Sequence, residues 1–206
     1  VFANDSVAID LQGTAATNDS VSITVGNEAS LTLTTANVED VTITSNNDVA
    51  TVTVDVVHAD SDDITYTLAG SNDVTLKAAD GQELSDSKFT NSGTGDLGII
   101  LSGGTASNLD GFGVLGNGLT LAADSAFDLH LASGNTVTNT VTNTNATKID
   151  ANDAATDTSS ITLVLTNDTT GGLNLDNYET VVIDTDDSRL TSTGNIDLNG
   201  ADATIG

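Results

Sequence analysis

Apolar and polar residues alternate in short runs along nearly the whole chain. Val7, Ile9 and Leu11 form the first run, followed by Val21, Ile23 and Val25, and then Leu31 and Leu33. Val41 and Ile43 follow, then Val49, Val52, Val54 and Val56, then Ile64, Tyr66 and Leu68, then Val74 and Leu76. The pattern returns at Ile99 and Leu101, Leu119 and Leu121, Leu129 and Leu131, and Val137 and Val141. It ends with Ile161, Leu163 and Leu165, Val181 and Ile183, and Ile196 and Leu198. A period of two is the signature of strands with one buried face. Asn, Asp, Gly and Ser bound each run, and these residues favour turns. Short strands recurring about every 8–12 residues predict an all-β fold, whether sandwich, barrel or solenoid. The absence of Pro and the many Asn/Asp turns tilt the prediction to a β-solenoid, or β-helix, of short strands, whose turns stack in register. The longer, more regular run at Val49–Val57 keeps a β-sandwich as the alternative for part of the chain.

A two-part organisation follows, with residues 1–80 as an N-terminal β module and 81–206 as a solenoid-like continuation. Gly81 and the polar stretch Asp86–Gly95 mark the expected seam. One imperfect repeat stands out. Asn37-Val38-Glu39-Asp40-Val41-Thr42-Ile43 matches Asn177-Tyr178-Glu179-Thr180-Val181-Val182-Ile183, and Asn108-Leu109-Asp110-Gly111-Phe112 is a weaker echo. The unit reads as a turn-to-strand cap, with the apolar residue inward and the acid at the strand entrance.

Composition narrows the function classes. Four Lys and Arg stand against 30 Asp and Glu, a formal charge of −26 over 206 residues. Nucleic acid is excluded as a partner, because phosphate binding needs the cations that are missing. No apolar run approaches the roughly 18 residues of a membrane-spanning helix, so no membrane insertion is expected. With no Cys there is neither a disulfide framework nor a thiol nucleophile. The chain opens at Val1 without an initiator Met, as a processed or excised chain does.

So much negative charge on one body repels itself, and divalent calcium between carboxylates would cancel the repulsion and close turns. Asp60, Asp62 and Asp63 crowd three carboxylates into four residues after a strand. Asp184, Asp186 and Asp187 repeat the arrangement after the Val181–Ile183 run, and Asp150 and Asp153 offer a further alternating set. These eight are the candidate Ca2+ ligands. An EF-hand is rejected, since the Gly and the terminal Glu of that loop are missing.

In its composition and in the rungs Val38-Glu39-Asp40-Val41-Thr42-Ile43 and Tyr178-Glu179-Thr180-Val181-Val182-Ile183, the chain resembles the surface-layer (S-layer) proteins of Gram-negative bacteria. The likeness is to their repetitive β-solenoid region. It implies an exported, calcium-dependent, self-assembling lattice subunit, distantly similar to RTX proteins. The Gly-Gly-x-Gly-x-Asp repeats of RTX sites are not found; Gly103-Gly104 and Gly171-Gly172 supply Gly pairs alone.

Catalysis finds little support. His58 and His130 sit on or beside strands with no triad spacing, and the aromatic platforms that hold sugars are scarce, Tyr66 and Tyr178 being the only tyrosines. The expected role is therefore structural and non-enzymatic: an extracellular, cell-surface array or filament built by self-association. A repeat module of a large calcium-dependent adhesin is the alternative, with cell-surface polysaccharide as a further candidate partner. A carbohydrate-active β-helix enzyme ranks last.

Overall fold

Parallel strands need a crossover between them, and here each crossover is itself a strand on the opposite face. The computed structural model describes residues 7–13, 19–25, 30–36, 38–45, 51–58, 64–78, 84, 88–103, 106–151, 158–185, 194–199 and 202–205. Its first strands are β1 (Val7–Gln12), β2 (Ser20–Val25), β3 (Ser30–Ala36), β4 (Asp40–Ser45), β5 (Thr51–His58), β6 (Thr65–Gly70), β7 (Asp73–Ala78) and β8 (Lys88–Asn91). Then come β9 (Leu97–Leu101), β10 (Ala106–Asn108), β11 (Leu119–Leu121), β12 (Phe127–His130), β13 (Asn135–Asn139) and β14 (Thr147–Asp150). The last are β15 (Ser160–Leu165), β16 (Leu173–Asp176), β17 (Thr180–Asp184), β18 (Ile196–Asp197) and β19 (Asp202–Ile205).

All odd-numbered strands form one ten-stranded sheet in chain order. The even-numbered strands form two sheets, β2-β4-β6-β8 and β10-β12-β14-β16-β18. Every ladder between named strands is parallel. The architecture is a β-solenoid. Antiparallel pairing is what a sandwich would need, and β5, the run that raised that alternative, lies parallel to β3 and β7. The sandwich alternative is therefore set aside.

Register explains how a chain of uneven turns stays ordered. One row of the large sheet runs Val7, Leu31, Val54, Leu76, Ile99, Leu119, Val137, Leu163, Ile183 and Ile205. All ten are aliphatic. Leu76, Ile99, Leu119, Val137, Leu163 and Ile183 in this row are almost fully buried. Slipping one residue would turn these six buried side chains to solvent, so they pin their coils although coil length varies. Leu119 and Val137 are 18 residues apart, while Val137 and Leu163 are 26 apart.

The ten-stranded sheet runs through the expected seam, with β7 paired to β9. On the opposite face the four-stranded sheet ends at β8 and the five-stranded sheet begins at β10. A 3-10 turn, η1 (Asp110–Phe112), packs against β8 at this break. Its Phe112 ring is buried and stacks on Tyr66 of β6, with centroids 6.2 Å apart and planes inclined by 29°. Asn108–Phe112, the weaker echo of the repeat, is thus a core-filling turn and not a strand entrance.

Candidate functional site

The outer surface of the five-stranded sheet carries an array of charged and amide side chains. In strands that alternate inward and outward, register alone lines up the outward positions. One column holds Asp128, Lys148, Asn174 and Asp197; the next holds His130, Asp150 and Asp176. Inward neighbours Leu129, Ile149 and Leu175 are fully buried and fix the strands beneath.

Lys148 organises this ladder. Its Nζ lies 3.6 Å from Asp150 Oδ2 and 3.6 Å from Asp176 Oδ2. Desolvation works to lower its pKa, but the charges of Asp150, Asp128 and Asp176 and the hydrogen bond with Asp150 outweigh it and hold the ammonium above its ordinary value. Side-chain amides meet the other oxygen of Asp150 and of Asp176. Asn177 Nδ2 donates to Asp150 Oδ1 at 2.6 Å. Asn199 Nδ2 donates to Asn174 Oδ1 at 3.0 Å and also to Asp176 Oδ1. Asn177 and Asn199 take positive φ, 63° and 43°, which Asn tolerates better than most residues. Beside the ladder an open groove runs along Phe127, Lys148, Gly171, Gly172, Asn174 and Asp197.

The two strong copies of the repeat build the same corner. Glu39 N and Asp40 N both donate to Asp19 O, and Thr65 N donates to Glu39 O. Glu179 N and Thr180 N both donate to Ser159 O, and Asp202 N donates to Glu179 O. Val38 and Tyr178, the apolar residues before the acids, are both buried. Tyr178 donates its hydroxyl to Leu131 O at 3.3 Å, and burial is the main cause that raises its pKa. The acids serve these corners differently: Glu39 Oε2 accepts from Asp19 N at 2.7 Å, whereas Glu179 is exposed at the head of β17.

Of the calcium candidates, Asp60, Asp62, Asp63, Asp153, Asp186 and Asp187 lie outside the described residues. Asp150 and Asp184 are described, and the fold places them on different sheets: Asp150 ends β14 in the five-stranded sheet, and Asp184 ends β17 in the ten-stranded one. Asp150 Oδ1 accepts from Asn177 and its Oδ2 faces Lys148. Among the described residues no group of three or more His, Asp or Glu is arranged to hold a metal ion. Likewise, no helix among them is long and apolar enough to cross a membrane.

Reading the sequence for acid clusters passes over Asp128, Lys148, Asp176 and Asp197, because they meet through register and not through proximity in the chain. A signal was present: Leu129-His130, Ile149-Asp150 and Leu175-Asp176 each place a titratable residue directly after an inward aliphatic. In comparisons with protein-family models, curated proteins and solved structures, the chain matches none.

Proposed function

We propose that this chain is a structural element of an extracellular surface array or filament, a scaffold and not an enzyme. The observation that carries the reading is the unbroken aliphatic row through ten parallel strands. In a solenoid each coil rests on its neighbours, and ten strands at about 4.8 Å spacing stack to roughly 45 Å. Such a body supplies a stiff spacer with long, repetitive polar faces, and this supports self-association as its role. Calcium enters the proposal from sequence alone. Its candidate ligands in this reading are Asp60, Asp62, Asp63, Asp184, Asp186, Asp187, Asp150 and Asp153, and its task is to relieve the charge of −26.

The experiment is a calcium titration of the purified chain, followed by light scattering and electron microscopy, with reversal by a chelator. Ordered sheets or filaments that appear with calcium and dissolve on chelation are the expected result. A chain that stays monomeric and keeps its unfolding temperature with or without calcium overturns both the assembly and the metal. The groove beside Lys148 gives the adhesin reading one supporting feature. A monomer that retains a cell-surface glycan on an array would select that reading instead.

A further inference from the structure

The buried polar side chains among the described residues fall in one stretch: Asn135, Asn139, Asn143, Thr147, Ser159 and Thr169. Most have partners. Asn135 accepts from Leu115 N at 2.9 Å and donates to Gly113 O and Ala132 O. Asn143 donates to Ser125 O at 3.0 Å and to Thr147 Oγ1 at 3.2 Å, and accepts from Asn145 N at 3.0 Å. Ser159 donates to Asn177 O at 2.8 Å.

Two atoms break the pattern. Asn139 stands in register between Leu121 and Leu165, an amide in an aliphatic column, and is 3% exposed. Its Nδ2 donates to Asn167 O at 3.4 Å, which leaves Oδ1 with no protein partner. Thr169, bridged to Asn143 and 4% exposed, has an unpartnered Oγ1. Leaving a buried polar atom unsatisfied costs about 1–3 kcal/mol, so two in adjacent coils call for an explanation. Both residues line one small internal cavity, together with Asn143, Thr147 and aliphatic side chains including Leu121 and Leu163. Its volume is about 10 Å³, close to the room that a single water needs.

We propose that this cavity is a binding site for one ordered water that joins Asn139 to Thr169. The amide oxygen can only accept, so the water donates to it. The threonine hydroxyl can donate or accept and completes the bridge. A sodium or potassium ion fits the site poorly: no carboxylate lines it, and its walls are largely aliphatic. Asn139 holds the register position that Leu121 and Leu165 fill in the neighbouring coils, and the water lets this amide stack within the aliphatic column.

A crystal structure of the native chain at about 1.5 Å resolution tests this directly. One density peak within about 2.7–3.2 Å of both Asn139 Oδ1 and Thr169 Oγ1 is the expected result. An empty cavity, or side chains turned to bond each other, overturns the proposal. So does a peak with anomalous signal after exchange into rubidium, which would make the ligand a cation. In solution, oxygen-17 relaxation dispersion on the native chain and on the Asn139→Leu/Thr169→Val double variant should show the loss of one long-lived water. An unchanged count in a folded double variant would refute it, and if the variant does not fold the native crystal structure decides alone.

Discussion

Asp124 and Thr144, 20 residues apart in the chain, staple one turn of the solenoid to the next: Thr144 N donates to Asp124 Oδ1 at 2.6 Å. The Thr144 hydroxyl lies 3.0 Å from Oδ1 and 2.9 Å from Oδ2, and Asn145 Nδ2 donates to Oδ1 at 3.0 Å. Here an acid in a turn is satisfied by donors of the following coil. The same logic recurs where Asp73 Oδ1 accepts from Asp96 N at 2.9 Å.

The staple predicts an acid-side dependence of stability. The hydrogen bonds from the Thr144 backbone and hydroxyl, aided by Asn145, lower the Asp124 pKa below its ordinary 3.8. A carboxylate with a depressed folded pKa contributes stability that is present above the unfolded value and lost as pH falls through the folded one. Thermal unfolding of the native chain should therefore weaken relative to Asp124→Asn as pH drops below about 3.8, with the variant's deficit largest at neutral pH. A deficit that stays constant from neutral pH to pH 2 would exclude the staple as its source.

Close approach between coils makes a second prediction. A Cβ at Gly95 would stand 2.1 Å from the Asn72 carbonyl oxygen, a backbone atom that cannot step aside. Gly113, at φ 66°, has open space around the same position. Gly95→Ala should destabilise by about 3 kcal/mol or more through overpacking, and Gly113→Ala by about 1–3 kcal/mol through a backbone conformation, φ 66° and ψ −142°, that is essentially glycine's alone. Urea denaturation of the two variants measures the order, and equal midpoints would show that the coils yield.

How far the sequence reveals this fold depends on how aliphatic each strand is. Ile161-Thr162-Leu163-Val164-Leu165 alternates plainly, and β15 lies there. β8, β10 and β14 escape because their sequences, KFTN, ASN and TKID, hold few aliphatics, and β14 buries Thr147 beside Ile149. β16, Leu173–Asp176, alternates legibly with Leu173 and Leu175 and is passed over for its brevity. The ladder around Lys148 is harder still. Its members lie 20 to 26 residues apart, and coil lengths differ, so no fixed period brings Lys148 to Asp176. The Glu39 and Glu179 corners were legible, because a corner is a local unit whose apolar-acid pair does not depend on coil length.

The aliphatic row predicts where the fold is most sensitive. Leu119 is 1% exposed and sits in register between Ile99 and Val137. Leu119→Ala should cost about 2–5 kcal/mol, the transfer of its methyl groups plus the cavity they leave. Val114, 64% exposed, is the control: Val114→Ser should stay within about 0.5 kcal/mol. Chemical denaturation with a common slope measures both, and a mild Leu119 variant would mean that neighbouring coils collapse into the gap.

Lys148 supplies the last prediction, because one ammonium serves Asp150 and Asp176 while the charge of Asp128 adds to its field. Lys148→Gln leaves like charges facing one another across strands, which destabilises a sheet. The loss should be clear at low ionic strength and shrink toward zero in 1 M salt, where the screening length falls to about 3 Å. The pH sign is opposite to that of Asp124. A raised folded pKa gives stability that is complete below the unfolded value and lost as pH rises through the folded one, so native and variant curves should converge only above the ordinary 10.5. Adding Asp150→Asn to Lys148→Gln should restore part of the loss, since neutralising the second partner removes a repelling charge. Strictly additive single and double variants across this range would show that Lys148 and Asp150 are neighbours in register without being coupled in energy.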